Sequence, residues 1–284
     1  MDHINLKAFA KINLSLRVLD LRSDKYHNLD SIMQSISLHD IVKIKKVRKG
    51  IHLTCSSKKI PCDNKNTAYR VAEAFIRTRD QRLETRDNGV EITIEKNIPI
   101  GAGLAGGSAD AAAVLFGMDH LFGTNYALSK LQEMGGKIGS DIPFCLAGGR
   151  ARVMERGDKI EKHEVNDKKL VVVVNPGYGV STKWAYEELD RVRGNKGVSK
   201  NPNPDQYVND FEDLVMSKHP EITVIKEKLM QLGAEFAQMT GSGPTVIGLF
   251  SNKEVASKVF EEIINSYPTT YLAEFENRGV KVIA

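Results

Sequence analysis

The 284-residue sequence contains only three cysteines, and none of its apolar runs is long. Cys55, Cys62 and Cys145 have no Cys-x-x-Cys spacing, so neither a zinc site nor a disulfide framework is indicated. No segment approaches the roughly 20 apolar residues that cross a bilayer, and the N-terminus lacks the pattern of a signal peptide. We therefore expect a soluble, cytoplasmic protein with no membrane partner.

The sequence also lacks a concentrated basic surface. It has 40 Lys and Arg against 36 Asp and Glu, and its one basic run, residues 43–49 (KIKKVRK), alternates as an exposed strand does. A nucleic-acid-binding protein more often carries a basic stripe, so we expect no nucleic-acid partner. Six histidines show no metal-ligand spacing, and we expect no protein-bound transition metal; they are His3, His39, His52, His120, His163 and His219.

Strand and helix patterns are interleaved along the chain, which indicates an α+β or α/β class. Over residues 7–18 apolar and polar residues alternate, which predicts a half-buried strand with Lys11 and Asn13 on the same face. Further strands are predicted at 90–95, 168–175, 245–250 and 278–283. Helices are predicted at 108–121, 128–138, 222–232 and 253–266, with a polar loop at 194–205.

A glycine-rich run, NIPIGAGLAGGSADAAAVLF, occupies residues 97–116, and four of its glycines, Gly101, Gly103, Gly106 and Gly107, fall within seven positions. The run matches the dinucleotide-binding pattern Gly-x-Gly-x-x-Gly formally, but the βαβ unit and the following acidic residue that this pattern requires are not indicated. The run also lacks the lysine that a Walker P-loop requires. Glycines before a helix N-terminus allow backbone amides to converge on an anion. The alternative is that the glycines serve a tight turn and close helix–sheet packing. Because four glycines occur directly before a helix-forming segment, we favour phosphate binding over this alternative.

A second glycine loop lies in MTGSGPTVIGLF, residues 239–250. With PIGAGLAGGSADAA and AKINLSL it resembles the three motifs of the GHMP kinases. The segments AKINLSLRVLDLRSDKYHNLDSIMQ, GSDIPFCLAGGRA and NDFEDLV resemble the branch of that family that phosphorylates a cytidine-diphosphate-linked methylerythritol in the non-mevalonate isoprenoid pathway. The resemblance implies transfer of the ATP γ-phosphate to the 2-hydroxyl of such a substrate.

The same resemblance implies an α+β, two-domain GHMP kinase fold. A ribosomal-protein-like N-terminal domain, residues 1–166, would hold the phosphate loop and the catalytic pair, and a ferredoxin-like C-terminal domain would span residues 167–284. ATP is the implied co-substrate, with Mg²⁺ accompanying it. We expect small-molecule substrates only, and a monomer or weak homodimer.

Three positions depart from the family pattern. Ala105 and Ala109 replace a glycine and a serine of the usual Gly-Leu-Gly-Gly-Gly-Ser-Ser loop, and Lys25 replaces the glycine before Tyr-His. We expect Ala105 to lie where a methyl group is tolerated and Ser108 to remain as the polar contact to phosphate or metal. The shape of the turn at Lys25 is left open.

By resemblance, Asp141 is the general base and Lys11 its partner. A lysine beside the carboxylate would keep it ionised and would stabilise charge on the attacking oxygen. From the sequence alone, Asp141 could instead cap a helix and Lys11 could be an exposed strand lysine.

The resemblance also implies binding residues. Asn13 would reach the methylerythritol end, Tyr26 and Tyr186 would enclose the cytosine, and His27 would hydrogen-bond its edge. Tyr186 could instead pack on the core, and Asn66, expected at the adenine, could instead cap a loop. The other expected ATP-binding residues are Pro99, Gly101, Ala102, Gly103, Leu104, Ala105, Gly106, Gly107, Ser108 and Ala109, and the other expected substrate-binding residues are Thr182, Gly241, Ser242 and Gly243.

Two other functions stay open at this point. Another GHMP kinase, acting on homoserine or mevalonate, would have no base for Tyr26 and His27 to recognise. A non-catalytic binding protein would need neither Lys11 nor Asp141 nor the two glycine loops.

Overall fold

The computed structural model describes residues 2–80, 89–163, 167–194 and 207–283. The strands in these ranges are β1 (His3–Leu21), β2 (His27–Val47), β3 (Ile51–Cys55), β4 (Gly89–Glu95), β5 (Arg150–Glu155), β6 (Lys159–His163), β7 (Leu170–Val174), β8 (Phe236–Met239), β9 (Val246–Phe250), β10 (Thr270–Glu274) and β11 (Val280–Ile283). The helices are α1 (Thr67–Asp80), α2 (Gly106–Phe122), α3 (Leu128–Gly136), α4 (Ile142–Ala147), α5 (Thr182–Arg193), α6 (Glu212–Lys218), α7 (Glu221–Gln231) and α8 (Lys253–Ile263).

The predicted elements are present, with shifted ends. Helix α2 begins two residues before the predicted start at 108, and α8 ends at Ile263 rather than at 266. The predicted polar loop at 194–205 lies almost entirely outside the described residues. Within the described ranges, the protein has no helix of the length and apolar character that a membrane crossing requires.

The first sheet is built around the two long strands β1 and β2, which pair antiparallel. The other edge of β2 is shared, because β5 pairs with its first half and β4 with its second half. The chain returns to this sheet at its end, where β11 pairs with β1, so the last strand lies beside β1 although it follows the boundary expected at residue 166. That boundary stays a prediction.

Strand β1 is buried on both faces from Ala8 to Leu16, so the expectation of a half-buried strand is wrong there. Beyond its pairing with β11, its edge is covered by distant segments. The backbone amide of Lys11 donates to the carbonyl of Leu104, and the backbone amide of Asn13 donates to the hydroxyl of Thr240. The backbone amide of Leu16 donates to the carbonyl of Val208. The polar face of β1 therefore lies inside the protein.

The second sheet is antiparallel with the order β10-β7-β9-β8, which is the ferredoxin-like order, and helices α5 to α8 occur in the connections between its strands. Its central strand β7 is a continuous run of valines. Val171 and Val173 pack into the same core as α2 and the first sheet, whereas Val172 and Val174 pack into a second core with α5 to α8. Burial on both faces explains the unbroken apolar run, and the predicted two-domain α+β fold is confirmed.

The C-terminal segment crosses the end of α4 at a glycine. A Cβ atom at Gly279 would lie 1.7 Å from the carbonyl oxygen of Cys145, so no side chain fits between the two backbones. The carbonyl of Gly279 accepts from the amide of Phe9 at 3.0 Å, which directs the chain into β11.

We predict that Gly279→Ala lowers the free energy of unfolding by about 1–3 kcal/mol or more, because the new methyl group displaces backbone rather than a side chain. Gly136→Ala in α3 is the matched control, since its Cβ would make only ordinary contact with Pro143 at 3.4 Å. That control should be neutral or stabilising by up to about 1 kcal/mol, the difference in helix propensity. Urea unfolding of both variants measures this, and equal stability of the two would contradict the crossing described.

Candidate active site

One cleft of about 1020 Å³ brings together most of the residues expected from the sequence. It is large for a single small ligand and has room for two. The expected residues that line it are Lys11, Asn13, Tyr26, His27, Asn66, Pro99, Gly101, Ala102, Gly103, Ala105, Gly106, Gly107, Ser108, Asp141, Thr182, Tyr186, Gly241 and Ser242. Three expected residues do not line it: Gly243, and Leu104 and Ala109, whose side chains are buried in the core.

Lys11 is a buried cation at the cleft. Its side chain is 6% exposed, and its Nζ atom donates to Asn13 Oδ1 at 2.7 Å and to the carbonyl of Gly103 at 3.1 Å. The bond to Asn13 confirms that these two residues share a face of β1. Because Lys11 is buried and fully engaged, the alternative of an exposed strand lysine is wrong.

Asp141 faces Lys11 from the start of α4. Its Oδ2 atom lies 3.7 Å from Lys11 Nζ, and its side chain is 32% exposed toward the cleft. Asp141 stands immediately before the first turn of α4, yet its carboxylate makes no capping hydrogen bond there. The alternative of a helix cap is therefore wrong, and the carboxylate is available to a ligand.

The two glycine loops touch each other beside this pair. Gly103 has φ 76°, and a Cβ atom there would lie 2.6 Å from the carbonyl oxygen of Thr240. Gly241 has φ 61°, and its Cβ would lie 2.9 Å from the carbonyl oxygen of Gly103. Close packing of backbone on backbone accounts for these two glycines, so the alternative explanation of the glycine run holds for part of it.

Gly107, unlike Gly103, has room for a side chain in the structure. A Cβ atom at Gly107 would meet only Thr67 Oγ1, at 3.4 Å, which is an ordinary contact. Gly106 and Gly107 open α2, so their amide groups have no acceptor within the helix and can point to an anion in the cleft.

Both residues that replace a family glycine adopt the conformation glycine favours. Ala105 has φ 57° and Lys25 has φ 66°. A left-handed conformation costs a residue other than glycine about 1–2 kcal/mol. The turn at Lys25 keeps its left-handed residue despite the substitution, and Ala105 is accommodated directly before α2.

Aromatic rings and an imidazole also line the cleft. The ring of Tyr186 stacks on that of His27, with centroids 5.2 Å apart and an interplanar angle of 22°. Tyr26 instead carries Arg156 over its ring at 4.1 Å. The structure thus pairs Tyr186 with His27 rather than with Tyr26, and the expected stacking of a base on Tyr186 stays a prediction. Tyr186 lies at the cleft while also packing edge-on against Phe211.

Asn66 performs the capping role that the sequence left open. Its Oδ1 atom accepts from the amide of Ala68 at 2.8 Å, and its Nδ2 atom donates to the carbonyl of Pro61 at 2.8 Å. Both bonds order the loop that leads into α1. An additional contact to adenine stays a prediction.

Hydroxyl groups connect the second glycine loop to the rest of the cleft. Thr182 Oγ1 and Ser242 Oγ are 2.9 Å apart, which links the start of α5 to the loop. Asn13 is held from two sides, since its amide donates to Thr240 and its Nδ2 atom donates to Ser31 Oγ at 2.8 Å. These bonds leave the Asn13 side chain little freedom.

A buried ion cluster beneath the phosphate loop was not apparent from the sequence. Lys96 Nζ bonds Asp110 Oδ2 at 2.8 Å and also bonds Asp40, whose other oxygen accepts the amides of Asn97 and Ile98. Within the described residues, Asp110 Oδ1 has no partner. Two carboxylates thus share one cation in the interior.

This cluster shifts the ionisation of two of its members. Burial raises the pKa of the Asp110 carboxyl to about 8, since desolvation and the nearby Asp40 outweigh the attraction of Lys96. For Lys96, burial acts to lower the pKa, but the two carboxylates outweigh it and hold that pKa above its ordinary value. Asp110 accordingly keeps its proton at neutral pH.

Asp190 and Arg156 are further cleft residues that the sequence reasoning missed. Asp190 follows Tyr186 by four positions on α5, and helical residues so spaced lie on one face. That spacing in the sequence could have predicted Asp190 as a neighbour of Tyr186. No local sequence pattern predicts Arg156, because its position over the Tyr26 ring depends on the pairing of β5 with β2.

Comparison with known proteins gives concordant matches. Residues 66–149 match the model of the GHMP kinases N terminal domain, and residues 188–269 match that of the GHMP kinases C terminal region. A 4-diphosphocytidyl-2-C-methyl-D-erythritol kinase from Clostridium botulinum (strain Eklund 17B / Type B) is 40% identical over 281 residues, covering 95% of this chain and 99% of the relative.

Solved structures give the same picture of the fold. A crystal structure of 4-(cytidine 5'-diphospho)-2C-methyl-D-erythritol kinase aligns with a TM-score of 0.77 and 27% identity, covering 96% of this chain and 99% of that one. A homoserine kinase from Cytophaga hutchinsonii aligns with a TM-score of 0.73 over 100% of this chain and 98% of its own, at 19% identity. The second likeness concerns the fold alone.

We predict that the stability difference between the protein and Asp110→Asn depends on pH. Between pH 4 and about pH 8 the unfolded carboxyl is ionised while the folded one keeps its proton. The parent should therefore lose stability relative to the variant as pH rises through this window, by at most about 1.4 kcal/mol per pH unit. Urea unfolding at pH 5, 7 and 9 measures the difference. Asp213→Asn, at an exposed position of α6, is the control, and a pH-independent difference for Asp110→Asn would refute the raised pKa.

Proposed function

This chain belongs to the GHMP kinase family of ATP-dependent small-molecule kinases, and on that premise we propose that it transfers the ATP γ-phosphate to the 2-hydroxyl of 4-diphosphocytidyl-2-C-methyl-D-erythritol, a step of isoprenoid biosynthesis. The observation that carries the proposal is that one cleft is lined by two sets of residues. Lys11 and Asp141 line it beside the phosphate loop, and the same cleft is lined by the imidazole and aromatic rings suited to a base.

In the proposed reaction the substrate hydroxyl oxygen attacks the γ-phosphorus of ATP. Asp141 takes the hydroxyl proton, the bond to the β–γ bridging oxygen breaks, and ADP leaves. Lys11 Nζ lies 3.7 Å from that carboxylate, so its positive charge would stabilise the attacking oxygen as its proton leaves. Asn13, bonded to Lys11, fixes the direction of the lysine side chain.

The nucleotide phosphates would lie along the first glycine loop and the N-terminus of α2. Gly106, Gly107 and Ser108 line the cleft there, and the two glycine amides have no acceptor within the helix, so they would be available to the phosphates. Mg²⁺ that arrives with ATP would neutralise part of the phosphate charge, and its preference for hard oxygen ligands suits the Ser108 hydroxyl. Asn66 and the loop before α1 border the place for the adenosine end.

Elsewhere in the cleft lining, His27 would bind the hydrogen-bonding edge of the cytosine, with Tyr26 and Tyr186 contributing stacking area. Base stacking on an aromatic side chain contributes about 1–3 kcal/mol. We further propose that the enzyme works in the cytoplasm on small molecules only, as a monomer or weak homodimer.

The fold alone also admits a homoserine kinase, since one such enzyme shares it. The His27–Tyr186 cluster favours the cytidyl substrate, because homoserine and mevalonate carry no base. An assay of ADP release with the three substrates separates these activities. We expect release with the cytidyl substrate only, and release with homoserine or mevalonate alone would reject the proposal.

We predict that Asp141→Asn lowers kcat by about 10²–10⁴, the usual contribution of general-base catalysis, while both substrates still bind. The amide keeps the shape of the side chain but does not accept the proton. Asp213→Asn removes the same charge at an exposed helix start and should leave kcat unchanged. A variant that keeps a third of the parent kcat, with phosphoryl transfer shown to be rate-limiting, would show that Asp141 is not the base.

We predict that Gly107→Ala raises the KM for ATP by about tenfold or more, equivalent to about 1.4 kcal/mol of lost binding, without destabilising the fold. The protein has room for this methyl group, so only a ligand close to the backbone can oppose it. The KM for the cytidyl substrate should change little. Gly136→Ala, the same replacement away from the cleft, controls for helix effects. An unchanged KM for ATP would mean that the phosphates do not approach Gly107.

A further inference from the structure

Asp190 holds one nitrogen of the His27 ring. Asp190 Oδ1 lies 2.9 Å from His27 Nε2, within hydrogen-bond distance. A carboxylate only accepts hydrogen bonds, so the hydrogen of this contact belongs to the imidazole, and Nε2 is the protonated nitrogen. In a neutral imidazole the other nitrogen, Nδ1, is then an acceptor.

The plane of the His27 ring is held as well. Tyr186 stacks on it, and the His27 side chain is 9% exposed, so the ring has little freedom to rotate. Tyr186 and Asp190 both come from α5, four positions apart, so one helix supplies the stacking face and the hydrogen-bond acceptor together. Within the described residues, Nδ1 itself has no hydrogen-bond partner.

We propose that Asp190 is a specificity-determining positioning residue: it holds the His27 ring with hydrogen on Nε2, so that Nδ1 is left to accept a hydrogen bond from the exocyclic amino group of a cytosine-type base. The inference rests on the proposed function and adds to it the direction of the hydrogen bond. Cytosine presents an amino donor at this edge, whereas uracil presents a carbonyl acceptor at the same position. Two acceptors facing each other repel, so the uridyl analogue is rejected.

The ion pairs of the two glutamates Glu187 and Glu188 on α5 do not reach the His27 ring. Glu187 pairs with Lys183 and Glu188 with Arg191, so both of these ion pairs stay within α5. Asp190 instead reaches a residue at the start of β2, across 163 positions of sequence, and does so at the cleft.

Asp190→Asn is the decisive substitution, because an amide can either accept from Nε2 or donate to it. The variant no longer enforces one tautomer, and a ring with hydrogen on Nδ1 offers a donor that suits uracil. We expect kcat/KM for the cytidyl substrate to fall about 5- to 100-fold, the range of one such hydrogen bond, and the preference over the uridyl analogue to fall similarly. The change should appear in KM, with kcat nearly unchanged, since Asp190 does not touch the transferred phosphate.

The tautomer itself is measurable in the unmodified protein. Nitrogen-15 NMR of histidine-labelled protein at pH 8 should show Nε2 of His27 protonated and Nδ1 unprotonated. In Asp190→Asn a population with hydrogen on Nδ1 should appear. A parent protein with hydrogen on Nδ1 would overturn the inference, as would a variant that keeps the full cytidyl preference.

Glu188→Gln removes one negative charge from the same helix without contacting His27, and it should leave both the preference and the tautomer as in the parent. The outcome also separates the two levels of the proposal. If the parent phosphorylates the cytidyl substrate but Asp190→Asn discriminates equally well, only the role of Asp190 fails. If the parent does not act on the cytidyl substrate, the proposed function fails, and the NMR result still decides the tautomer.

Discussion

The contact between the two glycine loops is the constraint on which the cleft depends. Gly103 and Gly241 meet backbone to backbone, at distances that leave no room for a side chain on either. The first loop also bonds the edge of β1 through the carbonyl of Leu104, and the segment next to the second loop bonds it through Thr240. One strand therefore gathers both loops, and the residues it presents to them are Lys11 and Asn13.

This arrangement explains how the interior accommodates the amino group of a lysine. Lys11 has a carbonyl, an amide oxygen and a carboxylate within reach, so the cost of removing its ammonium group from water is offset by specific contacts. Asp141 keeps an exposed side toward the cleft because α4 does not use its carboxylate as a cap. Burial of the cation and exposure of the base together place reactive charge where a substrate hydroxyl can reach it.

Local patterns in the sequence predicted the helices α2, α3, α7 and α8 but not α1, α4, α5 or α6. The alternation in β1 placed Lys11 and Asn13 on one face. The burial of that face was beyond prediction, because the segments covering it lie about 90 to 230 positions away in the chain. Which glycines serve packing and which leave room for a ligand likewise depends on tertiary contacts, as Gly103 and Gly107 show. The Lys96 cluster and the partner of His27 were missed for the same reason, although the spacing of Tyr186 and Asp190 was readable.

In the proposed enzyme, one strand and two glycine loops bring the phosphate donor and the cytidyl acceptor together at Asp141. A crystal structure with a non-hydrolysable ATP analogue and the cytidyl substrate tests this most directly. It should place the γ-phosphate at the start of α2 and the 2-hydroxyl oxygen about 3 Å from an Asp141 carboxylate oxygen, or one water away. A complex with the phosphate away from the first glycine loop, or with the hydroxyl beyond the reach of Asp141, would contradict it.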